Sequence, residues 1–159
     1  MLIRLLPDQI SQFWNVIKYA IEQSLPPIAY EHPDKLNRIL SAAISGKVEV
    51  WVSYTKTQEV NKLEGVVVTK ILYDDASGTK NLLIYCLYGY EKVNSDSWLI
   101  GLTALVKYAK SRGCSQIISY SDIPHIIDIV KYLGGEARYT FLSFDVNKSV
   151  QNLNELNRG

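Results

Sequence analysis

Cysteine and histidine are scarce in this 159-residue chain, and charge of one sign is lacking altogether. The two cysteines, Cys86 and Cys114, lie far apart with no CxxC or Cys/His spacing, which argues against a disulfide framework or a zinc knuckle. Both read as small buried hydrophobes kept reduced. With only His32 and His125 to draw on, no metal site is expected. Seventeen Lys and Arg against sixteen Asp and Glu leave a formal charge of +1, so no global field draws the protein to nucleic-acid phosphates or anionic membranes. Long hydrophobic runs are missing too. Met1 to Leu6 is apolar, but Pro7 and Asp8 interrupt it before a signal-peptide core forms, and nothing later reaches the roughly 18 uninterrupted apolar residues of a membrane span. The expectation is a cytoplasmic protein with neither nucleic acid nor membrane as partner.

What is present is an ordinary apolar share, 47%, enough for one core. One domain is expected over residues 1–146, with the Asn-rich residues 147–159 as a tail or partner-docking arm. Leu2 to Leu6 reads as a short strand, and Asp8 as the N-cap of a helix running to Gln23, with Ile10, Phe13, Trp14, Ile17 and Ile21 at helical spacing. Pro26 and Pro27 stop it. A second helical pattern (Leu36, Ile39, Leu40, Ala43, Ile44) closes at Gly46, a C′ residue. Lys47 to Tyr54 alternates with the period of a strand, while Gly65 to Leu72 and Leu82 to Tyr88 are continuous apolar runs around a turn of Asp74, Asp75, Ser77 and Gly78. This is an antiparallel hairpin in the sheet centre. A third helix follows from about Trp98 to Gly113, capped by Ser95 or Asp96, then a strand from Gln116 to Tyr120. Ser121 with Asp122 is expected to cap a fourth helix, with Pro124 in its first turn and its end at Gly134 and Gly135. Leu142, Phe144 and Val146 alternate as a last strand. The order β-α-α-β-β-β-α-β-α-β predicts an α/β protein with a mixed, mostly antiparallel central sheet and about four helices, parallel where the third helix crosses over.

That order, with the segments GLTALVKYAKSRGCSQIISYSD (residues 101–122) and IIDIVKYLGGEARYTFLSFDV (residues 126–146), resembles the GNAT superfamily of acyl-coenzyme A dependent N-acetyltransferases. The two segments cover roughly a third of the chain and are similar to the family's helix after the cofactor loop with its next strand, and to its closing helix, glycine and strand. The resemblance implies acetyl-CoA as cofactor. It places the pantetheine arm along Leu87, Tyr88 and Gly89, the pyrophosphate at the amides of Asn94, Ser95, Asp96 and Ser97, and Tyr120 and Ser121 beside the passing arm. The family pattern Q/R-x-x-G-x-G/A is replaced here by a stretch with one glycine, Gly89, in which Glu91 and Asp96 add negative charge and Lys92 offsets part of it. The family's proton-donating Tyr falls on Val130 or Lys131, with Tyr132 one or two residues away.

His125, at the start of the fourth helix, is a candidate base, Tyr132 a candidate acid, and Glu64 or Glu49 a candidate base acting through water. A first-turn surface residue and solvated strand residues are the bland alternatives. Tyr85, Tyr88 and Tyr90 read as packed aromatics, since a stacking platform also needs a basic groove. Cys86 has no neighbouring cation to lower its pKa and reads as buried. Two functions follow: an N-acyltransferase acting on a small-molecule or protein amine, or a non-catalytic module that binds a protein partner or a second copy, for example in a bacteriophage particle or its assembly.

Overall fold

A computed structural model describes residues 1–57, 60–90 and 92–158 of the chain. Its elements run β1 (Leu2–Arg4), α1 (Pro7–Gln12), α2 (Trp14–Gln23), α3 (Lys35–Ile44), β2 (Glu49–Thr57), β3 (Val60–Asp74), β4 (Thr79–Gly89), α4 (Ser95–Ser111), β5 (Gln116–Ser119), α5 (Pro124–Tyr132) and α6 (Val146–Arg158). The strands form one five-stranded sheet in sequence order. All neighbours are antiparallel except β4 and β5, the pair that α4 connects by a crossover. The mixed sheet expected from the element order is thus present.

Successive strand residues point to opposite faces, and each face buries its own core. On one face Val50, Val66, Val68 and Cys86 pack with Ile10, Ile17, Ile21 and Ala43 of α1, α2 and α3. On the other, Leu2, Trp51, Val67 and Leu82 pack with Leu105 and Ala109 of α4. Helices on both faces explain why β3 and β4 read as continuous apolar runs. Thr69, fully buried on β3, is the polar exception: its hydroxyl accepts the Trp51 indole N–H at 2.9 Å and donates to Glu49 Oε2 at 2.9 Å. Tyr108 on α4 donates to the other oxygen, Oε1, at 2.7 Å, so one hydrogen-bond chain ties α4 to β2 and β3.

Several local expectations change. The first helix is two helices, broken at Phe13 (φ −105°, ψ 19°), whose carbonyl accepts from both Val16 N and Ile17 N at 3.1 Å. Because the break is one residue long, Ile10 and Ile17 still reach the core, whereas Phe13 is 48% exposed. Asp8 is not the cap: Pro7 takes the first helical position, and the Gln9 side chain accepts from Leu6 N at 2.8 Å. Asn94, rather than Ser95 or Asp96, caps α4, and Ile123, rather than Ser121 or Asp122, precedes α5. Gly46 (φ 81°) and Gly78 (φ 72°) take the left-handed conformations expected of a helix end and a tight turn.

The chain divides into two compact units, Met1–Ser121 and Asp122–Gly159. The expected last strand is not formed. Among the described residues no strand follows α5, and Leu142 and Phe144 are 84% and 88% exposed. Alternation stabilises a strand only where a neighbour pairs with it, and Asp145 instead starts a helix: its carboxylate accepts Lys148 N at 3.0 Å and its carbonyl Ser149 N at 2.9 Å. Residues expected to be a tail are therefore largely the helix α6. Among the described residues no helix is long and apolar enough to cross a membrane, and no three His, Cys, Asp or Glu side chains cluster so as to hold a metal ion.

Replacing Thr69 by Val removes the acceptor of the buried Trp51 N–H and a donor to Glu49, which costs about 1–3 kcal/mol. Urea denaturation of T69V is expected to show a lower midpoint with an unchanged slope.

Candidate functional site

β4 carries a bulge. Val68 lies opposite Cys86 and Thr69 opposite Ile84, which leaves Tyr85 as an extra residue. The bulge reverses the phase of the strand. Leu82 and Ile84 pack on the α4 side before it; after it Leu87 does so, while Cys86, Tyr88 and Tyr90 turn to the face covered by α1, α2 and α3. The parallel pairing of β4 with β5 runs from Asn81 opposite Gln116 to Ile84 opposite Ser119 and stops there, at the bulge. From that point β4 continues to Gly89 without a partner on its β5 side among the described residues.

The hydrogen bond from Tyr90 N to Glu64 O, 2.9 Å, sets the phase of the backbone along this free edge. Alternate residues of an antiparallel pair turn their backbone groups to the partner. Tyr88 and Tyr90 therefore face β3, and Leu87 and Gly89 present N–H and C=O on the open side. Strands β3 and β4 approach closely here: a Cβ on Gly65 would lie 2.5 Å from the Tyr88 carbonyl oxygen. Glu64 is itself the extra residue of a second bulge, since Ser53 lies opposite Gly65 and Tyr54 opposite Leu63.

The bulged Glu64 meets the N-terminus of α4. Ser97, 9% exposed, donates its hydroxyl to Glu64 Oε1 at 3.3 Å, and its amide donates to Asn94 Oδ1 at 2.8 Å. A hollow of about 140 Å³ beside them is lined by Thr55, Lys62, Leu63, Glu64, Lys92 and Asn94. One residue on, the buried indole N–H of Trp98 has no acceptor among the described residues. On the other face Tyr88 packs edge to face between Tyr19 of α2 (5.8 Å) and Tyr90 (5.1 Å), and the Tyr90 hydroxyl donates to the Val16 carbonyl at 3.1 Å. The hydrogen bond with Tyr19, then burial, raises the pKa of Tyr88; burial, then its tyrosine neighbours, raises that of Tyr90. Both phenols stay neutral at physiological pH. Packed aromatics, as expected, describe them better than a stacking platform.

No family model matches the sequence, and no curated protein matches it in sequence. In three dimensions the neighbours are acetyltransferases. A predicted acetyltransferase of Clostridium acetobutylicum solved with acetyl-CoA superposes with a TM-score of 0.64 at 14% identity, over 93% of this chain and 97% of that one. Glucosamine-6-phosphate N-acetyltransferase of Arabidopsis thaliana gives 0.62 at 12% identity, over 91% and 97%. Ribosomal-protein-alanine N-acetyltransferase of Brucella melitensis gives 0.62 at 11% identity, over 91% and 99%. The chain has the GNAT fold.

Within this GNAT fold, Leu87, Tyr88 and Gly89 form the unpaired end of β4, and Tyr120 and Ser121 follow directly on the end of β5, so all five border the opening. Asn94, Ser95, Asp96 and Ser97 are the cap and first turn of α4, joined there by Glu64. Glu91 lies outside the described residues. Glu49 is brought elsewhere, to the start of β2, where Tyr108 and Thr69 occupy its oxygens. His125 and Tyr132 are the second and last residues of α5, in the second unit, and Tyr132 is 84% exposed. The two bulges, the Ser97 to Glu64 contact and the Tyr19 partner of Tyr88 have no signal in the sequence, because each depends on strand register rather than on composition.

An acyl-coenzyme A fits one half of this site better than the other. The free edge of β4 offers outward backbone groups to an amide-containing arm. At α4 the Ser97 amide is occupied by Asn94, leaving Ser95 and Asp96 amides for an anion, with the Asp96 carboxylate beside them and Lys62 and Lys92 among the residues lining the hollow.

Gly65→Ala is expected to displace the end of β4, at a cost of about 1–3 kcal/mol in urea denaturation, and to speed hydrogen exchange of the Tyr90 amide. Unchanged exchange would mean that the close approach does not shape the opening. Cys86, 2% exposed and with its thiol pushed up to about 12 by burial, is expected to resist iodoacetamide at about pH 8 in the folded protein and to react in urea.

Proposed function

We propose that this protein is an N-acyltransferase that takes its acyl group from acetyl-CoA. One observation carries the reading: the parallel ladder between β4 and β5 ends at Ile84 and Ser119, next to the bulge, leaving the Leu87 to Gly89 edge open. When bound, acetyl-CoA would supply a thioester-activated acyl group. Leu87 and Gly89 would hold its arm through their backbone, with Tyr88 fixing that edge against Tyr19, and Tyr120 and Ser121 would border its path. Ser95 and Asp96 amides, with Lys92, would meet the phosphates.

The acceptor is an amine, which must lose a proton to attack. Glu64 is the candidate base best supported by geometry, since the bulge and the Ser97 hydroxyl hold its carboxylate at the mouth of the opening. His125 and Tyr132 are the other proton-handling candidates, each tested by substitution to Gln and Phe. Structural neighbours act on quite different amines by name, an aminoglycoside acetyltransferase and a glucosamine-6-phosphate N-acetyltransferase among them, so the fold leaves the acceptor open.

A second reading, a non-catalytic module that binds a protein partner, is favoured by one specific feature. Asn94 and Asp96 occupy and oppose the position where an anion would sit. Calorimetry with acetyl-CoA separates the two readings. Saturable binding that Gly65→Ala weakens is the expected result, and no heat and no thermal shift at about millimolar ligand would leave the module reading. With an acceptor in hand, Glu64→Gln is expected to lower kcat by about a hundredfold with little change in the KM for acetyl-CoA.

A further inference from the structure

A second cavity lies at the other end of the first unit. It measures about 280 Å³, near the lower end of small-molecule sites, and sits among the end of β1, the first turn of α1, the end of α3, the start of β2 and the last turn of α4. The opening at Leu87 adjoins the N-terminus of α4, whereas this cavity adjoins its C-terminus. The 17-residue helix separates them by about 25 Å.

Its lining has two characters. Leu5, Leu6 and Pro7 form an apolar wall, and Arg4, Arg112, Tyr108 and Glu49 a polar one. Both guanidiniums are gathered on one ring: Arg4 Cζ lies 5.2 Å and Arg112 Cζ 5.9 Å from the centroid of Tyr108. Tyr108 is itself held in place, by its hydrogen bond to Glu49 and by edge-to-face packing on Trp51 at 5.2 Å. The one carboxylate in the lining has both oxygens engaged by neutral hydroxyls, those of Tyr108 and Thr69. Neither arginine pairs with a carboxylate among the described residues. The polar wall therefore carries excess positive charge and directed N–H donors, beside an apolar surface.

We propose that this cavity binds a small amphiphilic oxyanion, with a carboxylate or phosphate head group on Arg4 and Arg112 and a short apolar body against Leu5, Leu6 and Pro7. Guanidinium donors match both head groups in bidentate geometry, and the Glu49 carboxylate repels an anion, which favours the head group on the arginines. The site is independent of the acyltransferase reading and stands or falls without it.

The test is calorimetry on the full chain with phenyl phosphate, benzoate and inorganic phosphate. Saturable binding of phenyl phosphate or benzoate is expected, at least about tenfold tighter than inorganic phosphate and weakening as salt rises. The tighter of the two aromatic probes identifies the head group. Arg4→Gln and Arg112→Gln are each expected to weaken it by about tenfold, with thermal melts confirming folded variants. No saturable heat from either aromatic anion at about 10 mM, or binding indifferent to both substitutions, overturns the proposal. The unmodified chain gives a decision free of any folding defect. Amide shifts in an NMR titration with the tighter probe should cluster at Gly46 to Val50 and Tyr108 to Arg112; shifts confined to other residues overturn it as well.

Discussion

One extra residue in β4 governs the architecture around the opening. A strand has a period of two, so inserting Tyr85 exchanges the faces of everything after it. Cys86, Tyr88 and Tyr90 consequently pack toward the helices α1, α2 and α3, and Leu87 toward α4. The bulge also coincides with the last residue that β5 can pair, so the free backbone edge begins where the strand changes phase. Gly65 completes the arrangement, because only a residue without a side chain lets β3 follow β4 through this stretch.

The two ends of α4 carry opposite charge, and helix physics accounts for both. Asn94 and Asp96 at the N-terminus, with Lys110 and Arg112 at the other end, complement the helix dipole and stabilise the helix. At the N-terminus this stabilisation competes with anion binding: the amide that Asn94 satisfies is one a phosphate would have used. At the C-terminus it works in the other direction. Cations that suit the dipole also collect on Tyr108, where a buried chain from Trp51 through Thr69 and Glu49 fixes the ring. One helix thus connects an opening whose α4 end is poorly adapted to anions with a cavity lined by two arginines.

Element order could be read from the chain because it rests on local periodicity and local turn chemistry. Ile10, Ile17 and Ile21 mark a buried helical face whether or not the helix is broken at Phe13, and Gly46 and Gly78 mark left-handed positions on their own. The alternation of Leu142, Phe144 and Val146 misled for a complementary reason. A strand is stable only with a partner, and nothing local in those residues tells whether one pairs with them.

The elements bordering the opening were legible in outline, since Leu87, Tyr88 and Gly89 end β4 and Asn94 and Ser97 begin α4. Its chemistry was not. That Tyr85 is the bulged residue, that Glu64 rather than Glu49 reaches Ser97, and that Arg4 and Arg112, more than a hundred positions apart, share one tyrosine ring are all matters of register and packing across the sheet. Periodicity and capping depend on neighbours along the chain and are written in it directly; which strand edge is left open and which charges meet depend on contacts between distant segments, which only folding brings about.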